Sequence, residues 1–336
     1  MGTFLKTDNK TTKMMIRILI ALIPIIIFSI YRNGYLHYKS MNTSLFTIIY
    51  PLIFILIGGF VCFFIELILN FIFKKKKYNS FLYSFIYGLI LALILPIKTP
   101  IYILIVGAVI TATVKFLFER FEKNIFNPAL IGYIFIAVVF SNVLSSNFDF
   151  NGYQIDNMLK FEAILCLISY IYLAITKTIK WKIPLTYISS VLVITYVIGN
   201  LLGKDLIYPV FQMLNGLLLF GSIFIATDPA TSTVTPIGQI LQGMFLAIFT
   251  VLFRFLGFDG TIISILIVNT FIFLLDKVGC ISRFNFVKSL PYFILTWLIV
   301  IILIFGIAIS KKNTNNKEFA NCQFTYHLNS ETESED

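Results

Sequence analysis

Charged residues are scarce in this chain. Asp, Glu, Lys and Arg together make up 12% of its 336 residues, whereas 58% of the residues are hydrophobic. Soluble domains carry about 25% charged residues. The composition therefore excludes an ordinary soluble protein and predicts a polytopic membrane protein. The expected fold class is all-α, because the apolar runs are long enough for helices that cross a bilayer.

Histidine and cysteine are also rare. The two histidines, His37 and His327, lie outside the apolar runs, which argues against a cytochrome with paired membrane histidines. The four cysteines form no CxxC motif or other close pair, so we expect no metal site and no disulfide framework. GxSxG, Walker and Rossmann motifs are absent too, which argues against a self-contained hydrolase or nucleotide-binding enzyme.

The net charge of +10 does not indicate nucleic acid as a partner. Lysine and arginine stand in short clusters between apolar runs, such as Lys74–Lys77, and leave no free basic face. With a cytoplasmic amino terminus, the inner loops hold most of these residues and the outer loops hold few. The sequence therefore predicts a multi-pass protein of the cell membrane, partnered by the lipid bilayer, with its N-terminus in the cytoplasm.

The apolar runs predict eleven spans. The second run would be about 45 Å long as one helix, so we expect it to tilt or to bend at Gly58 and Gly59. Residues 1–13 form a polar segment expected in the cytoplasm, and residues 311–336 form a polar, acidic tail expected to be disordered. The predicted spans are 14–31, 44–73, 80–97, 99–118, 126–141, 159–176, 183–202, 206–226, 237–256, 259–275 and 290–310.

The membrane region contains an internal similarity. The stretch that begins at Gly107 weakly resembles the stretch that begins at Gly243, five spans later. A displacement by an odd number of spans inverts a unit in the membrane, so we expect about ten core transmembrane helices arranged as two inverted five-helix repeats. The predicted membrane domain covers residues 14–276, and residues 277–310 supply a loop and one extra C-terminal span.

The most unusual stretch is a polar break between two apolar helices at 227–236. It contains Asp228, Pro229 and Thr231 among several other hydroxyl residues. Proline removes backbone donors, so the loop must be held by its hydroxyl groups and by Asp228. One interpretation is a turn between helices with an Asp or Thr N-cap. The other is a rigid polar pocket at a membrane face that holds a polar ligand or ion.

A second polar break contains Asn124, Asn127 and Pro128 and opens the fifth span. Asn127 before a proline is a natural N-cap, and capping is its whole role in one interpretation. In the other, both breaks face the cytoplasm and line one site. Asparagine amides and helix N-termini could then bind the edge of a heteroaromatic ring or a carbonyl group.

Glu66 is the one carboxylate well inside an apolar run. A membrane carboxylate costs a few kcal/mol, so it requires a partner or an aqueous cavity. Two interpretations remain open: an ion or proton path, or a structural pair with a nearby lysine.

The two polar breaks resemble signature segments of the RnfD/NqrB family. IFIATDPATSTVTPIGQ is similar to the family's ATDPVT…TPxGQ segment, and NIFNPALIGYIF to its NPFNPAxxGxxF segment. Further similarity lies in LIALIPIIIFSIY, GLILALILPIKTP and IKWKIPLTY, so that the resemblance covers nearly residues 14–276 in the family's order. Lys177–Pro184 is closer to the Rnf D subunit than to the quinone-linked relative.

The resemblance implies a membrane subunit of an Rnf-type complex that couples ferredoxin and NAD redox chemistry to Na⁺ or H⁺ movement. Such a chain is a component of an oxidoreductase complex, with other membrane and peripheral subunits as partners. A noncovalent flavin, riboflavin or FMN, is expected near the cytoplasmic face. The binding residues that the resemblance indicates are Asn124, Asn127, Pro128, Asp228, Pro229 and Thr231, while Glu66 is the candidate for an ion path.

One departure from the family concerns a second flavin, an FMN joined to a threonine in an SGAT-type segment of an outer loop. In this chain that loop reads SNVLSSNFDFNGYQIDNML and contains no threonine. We therefore predict that covalent FMN is absent. Two other functions compete with the Rnf-type function. One is a small-solute permease with the same inverted-repeat fold, and the other is a structural anchor subunit that takes no part in electron transfer.

Overall fold

The computed structural model describes residues 8–41, 45–73, 80–120, 126–140 and 157–284. All regular elements within these ranges are helices, which confirms the predicted all-α class. Four features discussed above lie outside the described residues. They are the basic cluster Lys74–Lys77, the outer loop in which the family has its covalent FMN, the eleventh predicted span and the acidic tail.

Ten helical segments correspond to the first ten predicted spans. The eighth consists of two helices, α8a and α8b, and the last five residues of α8b, Gly221–Ile225, form a π-helical turn. The bounds are α1 Asp8–Ile30, α2 Phe46–Ile72, α3 Ser80–Ile94, α4 Ile101–Arg120, α5 Pro128–Val139, α6 Asn157–Ile175, α7 Lys182–Leu201, α8a Tyr208–Leu214, α8b Leu218–Ile225, α9 Pro236–Phe255 and α10 Thr261–Phe284.

Length and apolar character allow most of these helices to cross a membrane. Within the described residues, seven helices suffice on their own, and the bent pair α8a–α8b is an eighth candidate. α3 and α5 are apolar but shorter. Large apolar side chains such as Phe71 and Val138 remain exposed on the outside of the bundle, as expected for surfaces that face lipid.

The packing of the helices supports the predicted repeat. In the first half, α2 packs on α3 and α4, and α4 packs on α5. The second half repeats these pairings five spans later, since α7 packs on α8a and α9, and α9 packs on α10. α1 and α6, the first helices of the two halves, pack on each other.

Gly58, in the middle of α2, allows close packing against α3. α2 is continuous from Phe46 to Ile72. A Cβ atom on Gly58 would lie 2.8 Å from the carbonyl oxygen of Gly88, and one on Gly88 would overlap the backbone of Gly58. Glycine at both positions therefore lets α2 and α3 approach each other backbone to backbone.

Three predicted boundaries need correction. α1 begins at Asp8, inside the predicted polar segment, and continues beyond Ile30 as a π-helical turn, Tyr31–Tyr35, and a short helix, Leu36–Met41. The eighth span is not one helix, because α8a and α8b meet at an angle of 63°. α10 extends to Phe284, so residues 277–284 are helical rather than part of a loop.

Candidate functional site

The loop from 227 to 235, called here the DP loop, is folded around Asp228. Oδ1 of Asp228 accepts a hydrogen bond of 3.1 Å from the backbone N–H of Ala230. The hydroxyl of Ser232 donates to the carbonyl oxygen of Asp228 at 2.7 Å. Pro229 interrupts the helix between these contacts, so the side chains of the loop replace the missing helical hydrogen bonds.

Asn127 joins the first half of the protein to this loop. It is the N-cap of α5, since its Oδ1 accepts from the backbone N–H of Ala129 at 3.0 Å while Pro128 occupies the first helical position. Its Nδ2 donates to Oδ2 of Asp228 at 3.0 Å. Capping and contact with the DP loop, which the sequence offered as alternatives, thus occur together.

A third side chain completes what we call the Asp228 junction: Tyr87, Asn127 and Asp228. The hydroxyl of Tyr87, on α3, donates to the same Oδ2 atom at 2.9 Å. All three residues are buried. Two donors from the first half therefore hold a carboxylate from the second half, in surroundings that strengthen such charge-assisted hydrogen bonds. The end of the bundle that contains this junction is called the Asp228 end.

The remainder of the DP loop is held from three sides. Nζ of Lys180 donates to the carbonyl and hydroxyl oxygens of Ser232, each at 2.8 Å. Oε1 of Gln242 accepts from the N–H and the hydroxyl of Thr233, each at 2.9 Å. Asp276, on α10, accepts from the backbone N–H groups of Val234 and Thr235. These contacts make the loop a fixed part of the bundle.

A narrow cavity adjoins the junction. Its empty space totals about 420 Å³ including the opening, but only about 30 Å³ is wide enough for the centre of a water molecule. The volume of about 30 Å³ determines what the cavity can hold in its present shape, and it is enough for one or two water molecules. The walls are apolar and aromatic except at the end formed by Thr227 and Asp228. They come from α1, α3, α6, α8b and the loops, and include Met15, Tyr83, Ile90, Leu173, Phe224 and Pro229.

The predicted site residues separate into two groups. Asn127, Pro128, Asp228 and Pro229 lie together around the junction, and Thr231 is buried in the same loop. Asn124 lies outside the described residues.

Glu66 belongs to a second buried cluster. Both of its carboxylate oxygens accept from Nζ of Lys115, on α4, at 2.6 Å. The carboxylate of Glu66 is fully buried and Lys115 is 3% exposed. Glu66 therefore has a charged partner, and this partner is a lysine within the fourth span.

Sequence reasoning missed Tyr87 and Lys180 as members of the site. Tyr87 lies in an apolar run that is rich in aromatic residues, and its sequence neighbourhood does not distinguish it from lipid-facing tyrosines. Lys180 is, by sequence, an ordinary loop charge. The two polar breaks are visible because they interrupt apolar runs, whereas a polar atom inside a run leaves no such pattern.

The fold and junction define a class of protein: a polytopic helical membrane protein with two related five-helix halves, joined at one end by a buried carboxylate. The chain belongs to the NQR2, RnfD, RnfE family, whose model matches residues 1–159 and 149–285.

Two relatives show the extent of the similarity. The chain is 28% identical over 182 residues to the D subunit of the ion-translocating oxidoreductase complex of Methanosarcina acetivorans, covering 50% of this chain and 59% of that protein. It is 36% identical over 118 residues to the D subunit of the proton-translocating ferredoxin:NAD(+) oxidoreductase complex of Clostridium ljungdahlii, covering 34% of this chain and 36% of that protein. The matched segments thus span between a third and three fifths of these relatives.

Proposed function

We propose that this chain is the D-type membrane subunit of an Rnf-like complex that couples electron transfer between ferredoxin and NAD to the movement of Na⁺ or H⁺. The observation that carries the proposal is the Asp228 junction. The two segments that resemble the family's signatures are far apart in sequence, yet Asn127 of one donates directly to Asp228 of the other. Membership in the family and the names of the relatives support the same function.

The proposed location is the cell membrane, with the N-terminus and the Asp228 end in the cytoplasm. The number of lysine and arginine residues in the loops supports this orientation. Peripheral partner subunits would then meet the DP loop from the cytoplasm, and further membrane subunits would pack on the exposed apolar faces of the helices.

A noncovalent flavin is the proposed cofactor. The cavity beside the junction fits it in chemical character, since apolar and aromatic walls suit a flat ring and the Asp228 carboxylate suits a ring N–H group. The cavity is too narrow for a ring in its present shape, so binding requires side chains of its wall to move. Asp228 and Pro229 would contact the flavin, and Asn127 would hold Asp228 in position. When bound, a flavin supplies one- and two-electron transfer.

Covalent FMN is proposed to be absent from this chain. The support is the sequence alone, because the stretch 141–158 contains no threonine to which a phosphate could be attached. A denatured, acid-washed protein should therefore show no flavin fluorescence, whereas fluorescence that survives denaturation would contradict this part of the proposal.

The whole function can be tested with a tagged chain expressed in its native host. Purification in mild detergent should recover further membrane subunits, ferredoxin-dependent reduction of NAD⁺ and flavin absorbance. Asn127→Ala and Asp228→Ala should reduce the flavin content, while Ser189→Ala, at an exposed position on α7, serves as the matched control.

Two outcomes would contradict the proposal. A flavin-free chain that purifies alone and moves a small solute in liposomes would indicate a permease. Unchanged flavin and activity in the Asp228→Ala complex, together with loss of assembly when the chain is deleted, would indicate a structural anchor.

A further inference from the structure

The Glu66–Lys115 pair stands apart from the Asp228 junction and carries no role in the function proposed so far. Glu66 is six residues before the end of α2, or about 9 Å inside the helix. Lys115 is five residues before the end of α4 at the same end of the bundle. Both side chains are buried, and both residues lie within helices that are candidate membrane spans.

On both sides of this pair lie buried polar atoms that have no hydrogen-bond partner within the described residues. They are Nδ2 of Asn70, Oγ of Ser84 and Oγ1 of Thr111. Asn70 is one helical turn from Glu66 toward the Asp228 end, and Thr111 is one turn from Lys115 toward the interior. Buried polar groups are almost always satisfied, so several orphans beside one ion pair point to ordered water.

Ser84 lies on the neighbouring helix α3, about one turn deeper in the bundle than Glu66. It is one turn before Gly88, which packs against Gly58 of α2, and it is fully buried. The Cys62 thiol, one turn before Glu66, donates to the carbonyl oxygen of Ala108 at 3.2 Å. The pair and its polar neighbours therefore form a row that leads from the Asp228 end into the first half of the protein.

We propose that Glu66 and Lys115 form a proton relay, so that the ion moved through this chain is H⁺ rather than Na⁺; this inference rests on the proposed function. The geometry of the pair favours a proton. Both carboxylate oxygens of Glu66 are bound by the ammonium group of Lys115 at 2.6 Å, where a metal cation would have to displace a buried positive charge. A proton can enter without that displacement.

The relay works by an exchange that keeps the pair neutral. Glu66 takes a proton from water on the Asn70 side as its O–H bond forms, while Lys115 gives up a proton to water on the Thr111 side as its N–H bond breaks. The pair is then a carboxylic acid beside an amine. Transfer of the proton from the acid to the amine across the hydrogen bond restores the ion pair. One proton has passed, and the buried net charge is zero throughout.

The test uses the whole complex in sealed inverted vesicles, with ferredoxin-driven reduction of NAD⁺ as the energy source. Proton uptake is followed with a pH-sensitive dye and sodium uptake with radioactive Na⁺. The wild-type complex should acidify the vesicles without requiring Na⁺. The double variant Glu66→Gln/Lys115→Met keeps the shape and neutrality of the pair, so it should assemble and reduce NAD⁺ while proton uptake falls to background.

A matched control is available at the other end of the bundle. Arg32 and Glu162 form an ion pair of 2.7 Å that is exposed, and Arg32→Gln/Glu162→Gln should leave proton uptake unchanged. If the neutral double variant fails to assemble, the swap Glu66→Lys/Lys115→Glu decides, because it retains the ion pair but reverses the order of the acid and the amine along the row. It should assemble but no longer take up protons in the wild-type direction.

Three results would overturn the relay. They are normal proton uptake in the neutral double variant, normal proton uptake in an assembled swap variant, and sodium uptake by the wild-type complex in place of proton uptake. The proposed function would fail differently, through the absence of NAD⁺ reduction or partner subunits in the wild type.

Discussion

Lys115 and Arg254 are two buried cations in corresponding spans of the two halves, α4 and α9, and their surroundings differ. Lys115 binds the carboxylate of Glu66 on the adjacent helix, in a part of the bundle where neighbouring polar atoms lack partners. Arg254 is fully buried as well, but its guanidinium group is engaged on several sides with the backbone and with Asp259.

The contacts of Arg254 explain the break in the eighth span. Its guanidinium donates to the carbonyl oxygen of Gln212, in α8a, and at 2.8 Å to that of Asn215, where the helix has ended. It also donates to the backbone oxygen of Asp259 at 2.9 Å. The carboxylate of Asp259 in turn accepts from the N–H of Leu217, at the start of α8b. Arg254 thus satisfies carbonyl groups that the break leaves without helical partners.

The difference between the two cations indicates which of them can change its protonation state without disturbing the packing. Arg254 is fixed by several bonds to the backbone, so moving it would expose several buried polar groups at once. Lys115 can exchange a proton with Glu66 without any movement of the backbone. These surroundings agree with a structural role for Arg254 and with the proton relay proposed above for Lys115.

The largest effect is expected for Arg254→Met. It removes a buried charge together with the donors to Gln212 and Asn215, and should lower the free energy of unfolding by about 5 kcal/mol. Thermal unfolding of the detergent-solubilised chain measures this loss. Arg254→Lys should recover part of the stability because a charge and a donor remain. If Arg254→Met unfolds with the same free energy as the wild type, Arg254 does not have the structural role assigned to it.

A somewhat smaller effect is expected for Lys115→Met alone, which leaves the Glu66 carboxylate buried without its cation. The expected loss is about 3 kcal/mol. Adding Glu66→Gln should restore most of it, because the remaining group is then neutral. The same unfolding assay tests the restoration, and purely additive losses in the double variant would show that the pair is not coupled.

Two glycines, one in each half, allow the roles of the halves to be compared with substitutions that cause similar steric overlap. A Cβ atom on Gly132 would overlap Oγ1 of Thr111 and lie 2.8 Å from the oxygen of Gly107, while one on Gly243 would overlap Oγ1 of Thr186. Each change to Ala should cost about 1–3 kcal/mol through overpacking. Only Gly132→Ala should also slow proton uptake in vesicles, since it disturbs the row beside Lys115. Equal uptake in the two variants would contradict the division of roles.

The smallest effect is expected for Arg32→Gln. Its ion pair with Glu162 is about two fifths exposed on each side, so the free energy of unfolding should change by less than about 1 kcal/mol. A clear shift in the unfolding temperature would show that this outer contact holds α1 and α6 together more strongly than its exposure suggests.

The sequence predicted the spans and the meeting of the two polar breaks because both depend on periodicity and polarity along the chain. Asn127 and Asp228 were identifiable for that reason. The break in the eighth span was missed because Asn215 and Gly216 lie within an apolar stretch, and the cause of the break is an arginine 38 residues later that looks like an ordinary helix-end charge. Lys115 was missed as the partner of Glu66 for a similar reason, since only packing brings α2 and α4 together.

The central claim is that Asn127 and Asp228 act as one buried unit that joins the two halves. A double-mutant cycle with Asn127→Ala, Asp228→Ala and the double variant, read by unfolding free energy and flavin content, tests it directly. We expect a coupling of about 1–3 kcal/mol, with the double variant little worse than either single one. Strictly additive effects on both measures would contradict the claim.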